Sequence, residues 1–195
     1  MLFNNLAGYD ADMTLHIDAD GFLLRPLVPD DAPAMAAAVR ESMASLGPWM
    51  PWAHATYDEA DALAWIAHCD AARADTSAHE FGIFTPDGLN YVGAAGLNRF
   101  NRLHGFCNLG YWVRASAQGQ GAALAAIRAL SRLAFQRLGQ SRVEIVVADG
   151  NLPSLGVARK AGAVHECLAR NRLNLHGRPV AAHVLSLVPD SPASV

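Results

Sequence analysis

Gln118-Gly119-Gln120-Gly121-Ala122-Ala123 stands between an aromatic run, Tyr111-Trp112-Val113, and a proline-free stretch of strong helix formers. The amides of that turn therefore lie at a helix N-terminus. Four free N–H groups and a partial positive charge make such an end an anion site, and glycine lets a phosphate approach the backbone. The dinucleotide pattern G-x-G-x-x-G fails on the letters, and G-x-x-x-x-G-K-[ST] lacks its Lys and hydroxyl. A tight strand-to-helix turn with no ligand fits the same six residues.

A second group is Asn151 and Ser154, an amide and a short hydroxyl three residues apart, with Pro153 between them. Taken by themselves they fit a turn residue followed by an ordinary helix start. His104 offers an imidazole able to take a proton near neutral pH, or simply a solvated loop side chain. The Cys107 thiol alternates with apolar strand neighbours and has no base beside it in sequence, which disfavours it as a nucleophile.

These groups sit in a chain of 195 residues, 52% hydrophobic, enough for one domain with a sizeable core. The net charge of −3 and scattered basic residues exclude the electrostatic footprint of a nucleic-acid binder. Three cysteines without C-x-x-C spacing argue against a disulfide framework and against a zinc site, so no metal is expected. The N-terminus lacks a basic segment and a long apolar one, which makes the cytoplasm the default and argues against a membrane as partner. Residues 1 to about 12 and the last eight look loose by composition.

The elements that must position the site follow from pattern. "GFLLRPLV" reads as a first strand ended by Pro29, with Asp30 or Asp31 capping an alanine-rich helix that stops near "SLGPW". Thr56-Tyr57-Asp58-Glu59 fits a capping box opening a helix toward Arg73. "EFGIFT" and "NYVGAAGL" flank Pro86-Asp87-Gly88-Leu89 as a hairpin, and "GFCNLGYWV" is the fourth strand. Then come a helix from Gly121 to Leu138, the strand "RVEIVVA", a short helix from about Pro153 to Ala161, and strands "VHECLARN" and "PVAAHVLSL". Leu124, Ile127, Leu130, Ala134 and Leu138 share one helix face, opposite Arg128, Arg132 and Gln136. That face buries on the sheet and sets the glycine turn at the C-terminal end of the fourth strand.

The order β-α-α-β-β-β-α-β-α-β-β, with Q-x-x-G-x-A at Gln118, Gly121 and Ala123, resembles the GNAT acyl-CoA N-acyltransferases. "LRPL", "SLGPWMPW", "LGYWV", "QGQG" and "NLPSLGVARKAGA" carry the resemblance further, to the RimJ/RimL branch of ribosomal-protein N-terminal acetyltransferases, over roughly residues 20 to 188. It implies an α/β (α+β) fold with a mixed, mostly antiparallel central sheet of about seven strands and helices on both faces. It also implies acetyl-CoA as donor. The amides of Gln118, Gly119, Gln120, Gly121, Ala122 and Ala123 would hold the CoA pyrophosphate, and the pantetheine arm would pair along Tyr111, Trp112 and Val113 where two strands splay. A backbone amide near Tyr111 or Trp112 would polarise the thioester oxygen. Asn151 would bind pantetheine, Ser154 would protonate the departing thiolate, and Lys160, the only lysine, would reach the CoA phosphates or stand solvated.

The pattern departs at Asn108, where many relatives carry a glutamate taken as the base for the incoming amine. An amide has no useful basicity. The amine is therefore expected to lose its proton through water, helped modestly by His104, with Glu80, His79 and Glu144 as weaker candidates. Trp49, Trp52 and Tyr57, with Asn108, would wall the acceptor cleft, or the aromatics would anchor the core. The acceptor reads as a protein or peptide N-terminal amine; small amines such as polyamines, amino acids or drugs, and a non-catalytic acyl-CoA-binding module, are the alternatives. A homodimer is expected from the family.

Overall fold

The computed structural model describes residues 16–189, built on one eight-stranded sheet ordered β1-β2-β3-β4-β5-β6-β8-β7. In chain order the elements are β1 (Ile17–Asp18), β2 (Leu23–Arg25), α1 (Ala32–Glu41), α2 (Met43–Leu46), α3 (Glu59–Ala74), β3 (His79–Phe84), β4 (Tyr91–Asn101) and β5 (Phe106–Val113). They continue with α4 (Ala122–Gln136), β6 (Arg142–Ala148), α5 (Leu152–Lys160), β7 (Val164–Leu175) and β8 (Arg178–Leu187). The eighth strand is the two-residue β1, too short to leave a period in the sequence.

The first expected strand shrinks to Leu23–Arg25. Pro26 and Pro29 carry no N–H for a ladder. Asp31 stands at the N-cap of α1, but its side chain does not cap the helix. Its carboxylate instead takes two 2.7 Å bonds from Arg25 and one of 2.8 Å from the Val28 N–H. The first alanine-rich helix breaks at Ser42, whose hydroxyl donates back to the Ala38 carbonyl at 2.6 Å. The capping box before α3 is displaced by two residues. Asp58 accepts from the N–H groups of Ala60 and Asp61, Asp61 returns a bond to the Asp58 N–H, and the Thr56 hydroxyl meets His54 instead. A nearer acid with a better reach won over the Thr. β7 runs past Asn171 to Leu175 through an irregularity between Ala169 and Leu173.

The edge strand β7 is largely exposed, while the central strands are buried on both faces. On one, α4 and α5 pack over Ile83, Leu97, Leu109, Val143, Ile145 and Leu185, with Ile127 and Leu130 of α4 fully buried. Leu124 is only half-buried; Ala125, Ala126 and Ala129 share the inner face, which lets the helix approach the strands closely. On the other face α1, α2 and α3 close over Leu27, Phe84, Tyr91 and Trp112 through Met35, Val39, Leu46 and Ile66. Each fully buried Leu or Ile contributes about 1.5–3 kcal/mol. The hairpin between β3 and β4 forms as expected, with Phe81 opposite Ala95. The composition-based reading of the first 12 residues, and most of that of the last eight, falls outside the described residues.

The feature that matters for function lies at the centre of the sheet. β5 and β6 pair in parallel only from Phe106↔Arg142 to Asn108↔Glu144. Beyond that point β5 stays with β4 as far as Val113↔Gly93, and β6 follows β8 as far as Ala148↔Ala182. The two strands diverge, and one side of the backbone at 109–113 has no strand partner.

Candidate active site

The glycine turn sits at the end of β5, beside that gap. Gly119 and Gly121 adopt φ of 77° and 94°, in the left-handed region that glycine enters without strain. Gly121 is the N-cap of α4, and no side chain caps this helix end. An added Cβ at either glycine would meet nothing within 4 Å, so the space over the turn is open. The Gln118 side chain is part of the scaffold, its amide donating to Val113 O and Ser45 Oγ at 3.2 Å each, while Gln120 donates to Ser116 O.

The loop is also tied to the first helix by residues that sequence reading missed. Glu41 accepts from the Ser116 N–H at 2.7 Å and pairs with Arg114, and Ser42 Oγ accepts from the Ala115 N–H at 2.9 Å. The Arg114 and Ser116 hydrogen bonds hold the Glu41 carboxyl down at about 2. Arg114 in turn donates to Tyr91 O at 3.2 Å. The contacts from Glu41 and Ser42 span more than 70 residues of chain, so no local pattern signals them.

Across the gap, α5 opens with Asn151 as its N-cap, the side-chain carbonyl accepting from the Ser154 N–H at 3.3 Å. The amide nitrogen of Asn151 is left to donate. Ser154 is half-buried, and Tyr111 of β5 reaches it with its phenol oxygen 3.0 Å from both the Ser154 carbonyl and hydroxyl oxygens. Burial raises the Tyr111 phenol above its ordinary value, so it is a proton carrier rather than a phenolate near neutrality. Lys160 is exposed at the other end of α5, about 9 Å along the helix from Ser154.

On the α3 side of the sheet lies a cleft of about 880 Å3 that meets β5 at Asn108, Gly110, Tyr111 and Trp112. Trp52 and Tyr57 wall it, Trp52 being 41% exposed with its ring 5.9 Å from Tyr57 and 6.0 Å from Trp112. Tyr57 is buried, and that burial pushes its phenol up to about 12. Trp49 stands outside this lining and packs over Gly150, before α5. His104 is exposed in the turn before β5, at the strand end away from the glycine turn, and is not part of the cleft wall.

Glu80 does line the cleft, and burial raises its carboxyl above the ordinary carboxylate range. It accepts from the Asn98 amide at 2.9 Å, and Asn98 accepts from the Asn108 amide at 3.0 Å. His79 is buried against Phe100, and Glu144 is paired with Arg142 at 3.0 Å. Cys107 is fully buried and its thiol is pushed up to about 12, which removes it as a nucleophile. Among the described residues no group of His, Cys, Asp and Glu is placed to hold a metal ion, and no helix is long and apolar enough to cross a membrane.

An anion-binding helix end, a strand gap beside it and a proton donor across the gap can hold a phosphorylated thioester in extended form and protonate its leaving group. Residues 22–164 match the Acetyltransferase (GNAT) domain. A Bacillus subtilis protein provisionally named ribosomal N-acetyltransferase YdaF is 30% identical over 159 residues, 79% of this chain and 84% of its own. A Vibrio cholerae structure, provisionally titled a ribosomal-protein-serine acetyltransferase, superposes with a TM-score of 0.81 at 32% identity, covering 91% of this chain and all of its own. The ribosomal L7/L12 α-N-protein acetyltransferase RimL, solved with coenzyme A, shares the fold at a TM-score of 0.81 and 20% identity, over 91% of this chain and 99% of its own.

Proposed function

The chain belongs to the GNAT acetyltransferase family, and from that premise we propose that its acceptor is the N-terminal α-amine of a cytoplasmic protein or peptide, attacking acetyl-CoA directly in a ternary complex. Acetyl transfer from acetyl-CoA to an amine is the activity of the family. Direct attack is supported by the lining of the cleft, which holds no cysteine, while Cys107 and Cys69 are buried beside it with thiols raised to about 12 and neither offers an acyl-accepting thiolate.

The observation that carries the reading is the Ser154 hydroxyl, held by Tyr111 across the gap between β5 and α5. The glycine-turn amides from Gln118 to Ala123 take the pyrophosphate, and the unpaired backbone of Tyr111 to Val113 takes the pantetheine arm. A backbone N–H near Tyr111 or Trp112 polarises the thioester oxygen. The neutral amine attacks the carbonyl carbon, the C–S bond breaks, and Ser154 gives its proton to sulfur while Tyr111 and solvent restore it. The ammonium form of the substrate thus loses two protons, one ending on sulfur and one in solvent.

The acceptor class is supported by the volume of the cleft, which stands near the top of the range for small-ligand pockets and leaves room for several residues behind the amine. The printed names of the relatives, a ribosomal N-acetyltransferase and a ribosomal-protein-serine acetyltransferase, point the same way. Release of free CoA, followed across serine- and alanine-initiated peptides, polyamines and aminoglycosides, tests it. Turnover confined to small amines would overturn the acceptor class, and CoA binding without thiol release from any amine would overturn the activity.

A further inference from the structure

Glu80, Asn98 and Asn108 lie on three successive strands, β3, β4 and β5, and their side chains join in one hydrogen-bonded row along the cleft wall. The row has a direction. An ionised carboxylate can only accept, so Asn98 must turn its NH2 to Glu80 and its carbonyl to Asn108. Asn108 must then spend its NH2 on Asn98, which leaves its own carbonyl oxygen as the end of the row, at the point where the cleft meets the strand gap.

We propose that Glu80 is a positioning residue which, through Asn98, holds the Asn108 carbonyl toward the cleft as the hydrogen-bond acceptor for the substrate amine; the proposal rests on the amine-acetylation reading above. A lone asparagine at this place could present NH2 or carbonyl with similar ease, and an NH2 would repel an ammonium group. The carboxylate removes that ambiguity. It also polarises both amides in sequence, strengthening the terminal acceptor.

Local structure is arranged around the row. A Cβ at Gly96 would collide with the Glu80 carboxylate, so the glycine opposite Glu80 in the ladder makes room for it. β4 is bulged between Asn98 and Asn101, with Arg99 at φ 51°, a sparsely populated conformation for a side chain other than glycine. His68 of α3 faces Glu80 and favours its ionised form, while the Cys69 thiol on the same helix is held neutral by burial. Arg99, Asp61 and His54, whose imidazole lies 3.5 Å from the Asp61 carboxylate, are the other charged or titratable groups of the lining, with the phenols of Tyr57 and Tyr111.

The sign of the pH dependence follows. Burial raises the Glu80 carboxyl, so the ionised, directing form is lost as pH falls through that raised value. A protonated Glu80 can donate, the row can reverse, and Asn108 then offers NH2 to the amine. Acceptor binding weakens on the acid side while acetyl-CoA binding, on the far side of the gap, does not.

The test is a mutant cycle on the tetrapeptide Ser-Ala-Ala-Ala, with acetyl-CoA affinity and melting temperature measured alongside. Glu80→Gln should raise the acceptor KM at least about tenfold with smaller change in kcat. Adding Asn108→Asp to E80Q should restore KM to within about threefold, because the introduced glutamine side chain donates to Asn98, Asn98 donates to the new carboxylate, and a carboxylate oxygen again ends the row. Asn108→Asp alone places acceptors at both ends of Asn98 and should be worse than the double variant. An unaffected KM in E80Q, or a double variant no better than E80Q, would overturn the proposal. A readout without turnover is the carboxamide NMR resonances of Asn98 and Asn108 in the wild type, which should move together with the Glu80 titration; independence of pH would overturn the proposal even were the variants unfolded. Failure of every amine as a substrate would instead strike the functional reading and leave the carboxamide titration to decide the row.

Discussion

The phenol oxygen of Tyr111 lies 3.0 Å from the hydroxyl oxygen of Ser154, 43 residues further along the chain. A side chain of β5 thus fixes the Ser154 hydroxyl of α5, the proposed proton donor, across the strand gap. Ser154→Ala should lower kcat about 10- to 1,000-fold with acetyl-CoA affinity near wild type, because the lost proton matters as charge develops on sulfur. Tyr111→Phe should lower kcat by less, since Ser154 remains and only its partner is lost. Steady-state kinetics beside calorimetric titration separates the two quantities; equal losses in rate and affinity would count against the role.

At the glycine turn proposed to hold the pyrophosphate, Gly121→Ala places a Cβ at φ 94°, where nothing in the protein opposes it but the backbone is strained and the proposed ligand would have to approach. The strain costs about 1–2 kcal/mol. Acetyl-CoA affinity should fall at least about tenfold, or 1.4 kcal/mol, in a folded protein with a slightly lowered melting temperature. Unchanged affinity would remove the loop from the CoA site.

The tie between Glu41 and the loop predicts a pH effect. The carboxyl drops from an ordinary 4.5 to about 2 through the hydrogen bonds of Arg114 and Ser116, so its contribution to order is full above 4.5 and lost as pH falls toward 2. Both side chains are partly solvated, which keeps the effect on global stability small. Glu41→Gln should weaken acetyl-CoA binding about three- to tenfold at neutral pH, because the helix that braces the loop lets go; the assay is the same titration.

No acyl-enzyme should accumulate. With Cys107 fully buried and its thiol at about 12, intact-mass measurement after incubation with acetyl-CoA alone should show no added acetyl group on it. An acetylated Cys107 would replace direct attack with a two-step route.

His104→Ala should cost less than about tenfold in kcat/KM, since the imidazole is exposed in a turn outside the cleft. Abolished turnover would place a base there after all. The pH profile of kcat/KM discriminates further: it should follow the acceptor's own α-amine, with a second fall on the acid side where Glu80 titrates.

Much of this was legible in the residues. The glycine turn, the hairpin at Pro86–Leu89 and the approximate places of the longer helices are local signals, set by glycine's freedom at positive φ, by turn chemistry and by apolar period, while the Asn151–Ser154 step was legible only through the family resemblance. A local signal survives because the interactions that cause it lie within a few residues. The caps were less secure: at Asp31 and Asp58 several acids competed within reach, and the choice between them depended on Arg25 and on side-chain length. Tertiary structure alone decided where β5 and β6 part company, because β6 is held by β8 from the far end of the chain. It alone brought Glu41 to Ser116 and Tyr111 to Ser154. It also joined Glu80, two strands away, to Asn98 and Asn108 in one hydrogen-bonded row. Hydrogen bonds across a sheet follow register, and register is fixed by the burial of whole faces rather than by any short stretch of letters.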